Sequence, residues 1–109
     1  MTRAGVSDML NEVGVPIAYR AFPEGTGQEP PFICFYYPEN NAFEADNVNY
    51  FSTETLIIEL YTDNKDFGLE ATLEDVLDEN ELPFEKFEDY IGSERMFQIT
   101  YTTAVHFED

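Results

Sequence analysis

The chain has 109 residues, 23 acids against five basic residues, and a formal net charge of −18 at pH 7. Such a field repels nucleic acid and anionic membrane, and it excludes the basic patch that a nucleic-acid binder needs. Ten Phe and seven Tyr supply the apolar surface for a core, so one folded domain over residues 1–109 is expected rather than disorder.

Val6, Met9, Leu10 and Val13 recur at i, i+3, i+4 and i+7, which predicts a short helix over residues 6–13. Ser7 or Asp8 would cap it, and Gly14 would close it before Pro16. Residues 17–22 read as a first strand. A Gly- and Pro-rich loop follows, made of Pro23, Glu24, Gly25, Thr26, Gly27, Gln28, Glu29 and Pro30, and ending at Pro31. Strands joined in sequence are expected to pair antiparallel, and a tight turn would serve for that. The loop is therefore longer than the fold requires, which makes it a candidate interaction arm, with a plain connector as the competing reading.

Residues 32–37, FICFYY, are the most apolar stretch and read as a central strand. Pro38, Glu39, Asn40 and Asn41 end it with turn chemistry. Residues 43–51 are ambiguous, with a turn at Asp46 and Asn47 and an edge segment from Val48 to Phe51 as candidates. Leu56, Ile57, Ile58, Leu60 and Tyr61 form the next strand, preceded by Thr53 and Thr55. Its consecutive apolar residues predict a central strand covered on at least part of both faces.

Asp63 and Asp66 then stand where a helix N-terminus favours negative charge. Leu69, Leu73, Val76 and Leu77 fall at i, i+4, i+7 and i+8, one apolar stripe on a helix. Glu70, Glu74, Asp75, Asp78 and Glu79 are expected to project away from the stripe as a solvated acidic face. Like charges at i, i+4 cost roughly 0.2–0.5 kcal/mol per pair, so this acidity does not serve helix stability. The face is a candidate site for a basic partner or a divalent cation.

Leu82 and Pro83 break the pattern. Residues 84–91 read as a strand, Gly92 and Ser93 as a turn, and residues 96–107 as a long last strand. Phe97, Ile99, Tyr101, Thr103, Val105 and Phe107 lie on one face of that strand. The expected fold is α+β, in the order α-β-β-β-α-β-β. It is a single mostly antiparallel sheet of four to five strands with two helices packed on one face. The expected core is Ile33, Phe35, Leu56, Ile58, Leu60, Leu69, Leu73, Val76, Leu77, Ile99 and Tyr101.

No enzyme, cofactor or metal chemistry is expected. The one histidine, His106, stands on the polar face of the last strand near the end of the sequence, a poor catalytic support. Residues 63–68, DNKDFG, place Lys65 and Phe67 where a calcium loop needs ligands. Cys34 is the only cysteine and is expected to be a buried, inert thiol. No secretory signal and no apolar run of about 20 residues is present, so neither export nor a membrane span is expected.

The stretch from Tyr19 to Tyr101 resembles small proteins encoded among the head–tail connector and tail genes of phages and prophages of Gram-positive bacteria. The residues that carry the resemblance are Pro31 before an aromatic strand, Ala45-Asp46-Asn47, Glu59-Leu60-Tyr61-Thr62, Lys65-Asp66 and Ser93-Glu94. The resemblance implies a tail terminator or tail-completion protein, a structural ring protein between head and tail tube. Its implied partners are further copies of itself, with a hexamer as one candidate size, and neighbouring tail tube or connector proteins. It implies assembly in the host cytoplasm and then residence in the virion, and it brings no catalytic residues. The composition alone also suits an acidic mimic of nucleic acid that inhibits a basic host protein.

Overall fold

The computed structural model describes residues 1–38 and 52–108. The elements run α1 (Arg3–Asn11), β1 (Ile17–Tyr19), β2 (Phe32–Tyr36), β3 (Ser52–Thr62), α2 (Phe67–Glu79), β4 (Phe84–Ile91) and β5 (Met96–Phe107). The expected Asp46–Asn47 turn and the edge segment at 48–51 lie outside the described residues.

The five strands form one sheet in the order β1-β2-β3-β5-β4. β3 and β5 are paired along eleven positions and form its centre, from Ser52 opposite Phe107 to Thr62 opposite Phe97. β2 lies antiparallel to β3, and β4 antiparallel to β5. β1 lies parallel to β2, with Ile17 opposite Ile33 and Tyr19 opposite Phe35. Three of the four pairs are antiparallel, as the expected mostly antiparallel sheet requires, but the β1–β2 pair is parallel and makes the sheet mixed, against the expectation from sequence.

Both helices cover one face. Val6, Met9, Leu10 and Val13 of the α1 segment join Leu73, Val76 and Leu77 of α2 over Ile33, Phe35, Leu56, Ile58, Leu60, Ile99, Tyr101, Val105 and Phe107. The alternation along each strand places these strand residues on the same side. Of the expected core only Leu69 is half-buried, and it still packs against the cluster.

α1 starts three residues earlier than expected. The Thr2 hydroxyl accepts the Gly5 amide at 2.9 Å and caps the helix before Ser7 or Asp8 can. Gly14 follows the helix with φ +94°, as a closing glycine should. α2 is capped by Asp66, whose Oδ1 accepts the Leu69 amide at 3.0 Å. It ends with the Leu82 amide bonded to the Leu77 carbonyl at 2.9 Å around Glu81, held at φ +58°.

Candidate functional site: the open sheet face and its edges

The second face of the sheet carries Phe32, Cys34 and Tyr36 of β2, then Thr55, Ile57, Glu59 and Tyr61 of β3. Gln98, Thr100, Thr102 and Ala104 of β5 and Glu85, Phe87, Asp89 and Ile91 of β4 lie on it too, with Thr53, Met96 and His106 towards its ends. No helix among the described residues covers it. Ile57, Tyr61, Thr100 and Thr102 are half-buried, against complete burial of their neighbours on the helix face. β3 is thus covered fully on one side and in part on the other, as its consecutive apolar residues predict.

The loop of residues 23–30 lies against one end of this face. Because β1 and β2 are parallel, no tight turn can join them, and the chain must cross back from the end of one to the start of the other. That need accounts for the loop's length, which therefore no longer argues for an arm. Phe22 packs edge-on against Phe32 at 5.3 Å. Thr26 donates its hydroxyl to the Pro23 carbonyl at 2.9 Å, and Gln28 donates to the Glu29 carbonyl at 3.2 Å. Pro23, Glu24, Gly25, Gly27 and Glu29 are exposed, and Pro30 is half-buried.

Thr26 and Gln28 form one wall of a cleft of about 320 Å³, floored by Phe32, Cys34 and Tyr61 and rimmed by Arg20 and Glu94. The Tyr61 hydroxyl donates to Glu59 at 3.0 Å and accepts from Gln98 at 2.8 Å. Burial and the Glu59 carboxylate push both the Tyr61 hydroxyl and the Cys34 thiol up, so each stays protonated. The floor is therefore neutral and mostly apolar, suited to packing rather than to proton transfer.

The acidic face of α2 divides in two. Asp75, Asp78 and Glu79 are exposed, as expected. Glu70 is not: it is 1% exposed and lies within the helix–sheet layer. Its carboxylate meets Lys65 at 2.6 Å and Lys86 at 2.9 Å. Glu74, half-buried, meets Lys86 at 2.6 Å and accepts the Tyr101 hydroxyl at 2.8 Å. Lys65 also pairs with Glu88 of β4. Burial pushes the Glu70 carboxyl up, but both lysines outweigh it and hold it below the usual range. Burial pushes Lys65 down, and its bonds to Glu70 and Glu88 bring it above the usual lysine range; Glu74 and then Glu70 raise Lys86.

Glu70 and Glu74 are thus parts of a clamp between α2 and β4, not of a free acidic surface. Lys86 and Tyr101 were missing from the sequence-based site. The alternation of β4 was the available signal, since it puts Lys86 on the same side as Phe84 and hence beneath α2. Among the described residues, no group of three or more His, Cys, Asp or Glu side chains is arranged to hold a metal ion. None of their helices is long and apolar enough to cross a membrane.

Among the described residues four large apolar side chains are exposed, and they stand at or beside the sheet's edges. Tyr19 of β1 is 49% exposed, Phe87 and Tyr90 of β4 are 67% and 51% exposed, and Phe67 is 74% exposed. Phe67 belongs to the β4 side, because the Lys65 that pairs with Glu88 lies 4.8 Å from its ring.

No family model matches the sequence, and no curated protein does. Among solved structures the chain is similar to one described as the virion of a native gene transfer agent particle. The match has a TM-score of 0.59 and 16% identity, over 93% of this chain and 84% of the other. At that identity the likeness is one of fold: the helix-covered mixed sheet described above is a fold also found in a chain of that particle.

Proposed function

We propose that this chain is a structural virion protein of a phage or prophage. In this reading it is a tail terminator or head–tail joining subunit that works as a ring of identical copies. The observation that carries the reading is the fold shared with a chain of a particle described as a virion, over nearly all of this sequence. The charge suits it. Three of the five basic residues, Arg3, Lys65 and Lys86, are paired with acids, so little positive charge is left to grip a phosphate backbone. A ring with an acidic lumen lets DNA pass without sticking.

An acidic mimic of nucleic acid is the second reading. Burial of Glu70 and pairing of Glu74 with Lys86 weaken it, because they withdraw carboxylates from the surface such a mimic would present. Native mass spectrometry and negative-stain microscopy of the purified chain separate the two. A closed ring of several copies, alone or with a tail tube protein, supports the proposal. A monomer that instead captures a basic protein at equal stoichiometry contradicts it.

A further inference from the structure

We propose that neighbouring copies join edge to edge, β4 of one against β1 of the next, so that the sheet continues from subunit to subunit. This rests on the ring reading above and assigns its contact surface. β4 is an eight-residue edge strand, and no described strand pairs with its outer side. Its N–H and C=O groups on that side are a template for another strand. β1 is the opposite edge.

The strand directions fit a head-to-tail contact. β1 and β2 run one way, β3 the other, β5 back again and β4 opposite to β5. A copy placed alongside by rotation about a ring axis therefore presents its β1 antiparallel to β4, with the helix faces on the same side. Such a contact is heterologous, the kind that closes rings.

The side chains fit as well. Residues facing each other across an antiparallel pair share a side of the sheet. Tyr19 lies on the helix side with Phe84, Lys86, Glu88 and Tyr90. Ala18 lies on the open side with Glu85, Phe87, Asp89 and Ile91, and Arg20 reaches the same side, over the Tyr36 ring at 5.0 Å. Setting Tyr19 opposite Lys86 places Ala18 opposite Phe87, and Arg20, which leaves the strand at φ +69°, brings its long side chain within reach of Glu85, the next open-side residue along β4. The smallest side chain of β1 then faces the most exposed aromatic of β4, and a cation comes close to an anion. Neither Arg20 nor Glu85 makes an ion pair among the described residues. The aromatic surface at the edges, Tyr19 on one and Phe67, Phe87 and Tyr90 on the other, is covered in the same step. β1 has only three residues, so each contact is weak, and closure of the ring supplies the gain from many contacts held at once.

The test is a charge swap read by native mass spectrometry over a concentration series at fixed salt, with circular dichroism as a check on folding. Arg20→Glu and Glu85→Arg should each raise the midpoint concentration for assembly about tenfold or more, in line with the effect of close charge pairs on affinity. The double variant should return it to within about threefold of the parent. A second measurement does not depend on charge. In a Cys34→Ser background, Arg20→Cys with Glu85→Cys should give a ladder of disulfide-linked multimers beyond the dimer. The two sites lie at opposite edges of a five-stranded sheet, too far apart to bridge within one chain. If the parent forms rings but the swap has no effect and no ladder appears, this contact is wrong and the ring reading stands. If the parent stays monomeric throughout, both fall.

Discussion

The two faces of the sheet are made by the same strands, residue alternating with residue, and differ in what lies over them. Leu56, Ile58, Leu60, Ile99 and Tyr101 point into the helix layer and are fully buried. Their neighbours Ile57, Tyr61, Thr100 and Thr102 point the other way and keep part of their surface in water. The helix face thus carries the packing that holds the fold. The open face and the two edges keep the aromatic and acidic groups the fold does not use. The same contrast runs through the acids of α2, where Glu70 is consumed by the interior and Asp75, Asp78 and Glu79 are left to solvent.

The largest way to break this contrast is to hollow out the helix face. Leu73→Ala should cost about 2–5 kcal/mol, because Leu73 is fully buried and its neighbours cannot close the cavity. Ile57→Ala on the open face should cost about half of that or less, since its side chain has less water-free contact to lose. Chemical denaturation of both variants checks the pair, and equal losses would show that the two faces share the core.

Next comes the clamp. Glu70→Gln removes the charge that answers Lys65 and Lys86, which keep Glu88 and Glu74 as partners. We expect a loss of about 1–3 kcal/mol near neutral pH, the cost of disturbing a buried charged hydrogen-bond network. The carboxyl of Glu70 is held low in the folded chain, so its contribution is present above the unfolded carboxylate value of about 4.3 and is lost as pH falls through the folded value. Lys65 and Lys86 are held high, so theirs is complete below about 10.4 and is lost as pH rises through the folded values. The stability gap between parent and variant should therefore be widest from about pH 5 to 10 and close in acid. A gap that is constant down to pH 2 would remove the ion pairs from the account.

The smallest effect should be a gain. Glu81 sits at φ +58° after the end of α2, where a side chain costs about 1–2 kcal/mol and glycine does not pay it. Its charge also stands at the negative end of the helix dipole. Glu81→Gly should raise stability by roughly 0.5–1 kcal/mol, after glycine's own entropic cost. Thermal unfolding at two salt concentrations separates the backbone part from the charge part.

Much of this was legible in the chain. The alternation of residues 96–107 gave β5 its bounds and both of its faces, and Gly92 and Ser93 marked the turn before it. The stripe of Leu73, Val76 and Leu77 gave the seat of α2. The start of α1 was misread because Thr2 lies ahead of the apolar period and competes as a cap. The direction of β1 was not legible at all, since nothing in residues 17–19 records which way their neighbour runs. Glu70 was misplaced for a related reason. Extended backwards, the stripe reaches Leu69 and Glu70 about equally, and the partner that lets a carboxylate take the inner position, Lys86, lies on another element. Pairings between distant segments decided both features, and local pattern does not encode them.

The claim that this chain assembles through surfaces the fold leaves open is tested most directly by sedimentation velocity of the parent protein across a salt series. Facing acidic surfaces repel at low ionic strength and are screened as salt rises. Slow-sedimenting monomer is expected at low salt, giving way with added salt to one larger species of fixed mass. A monomer at every salt and protein concentration would contradict it.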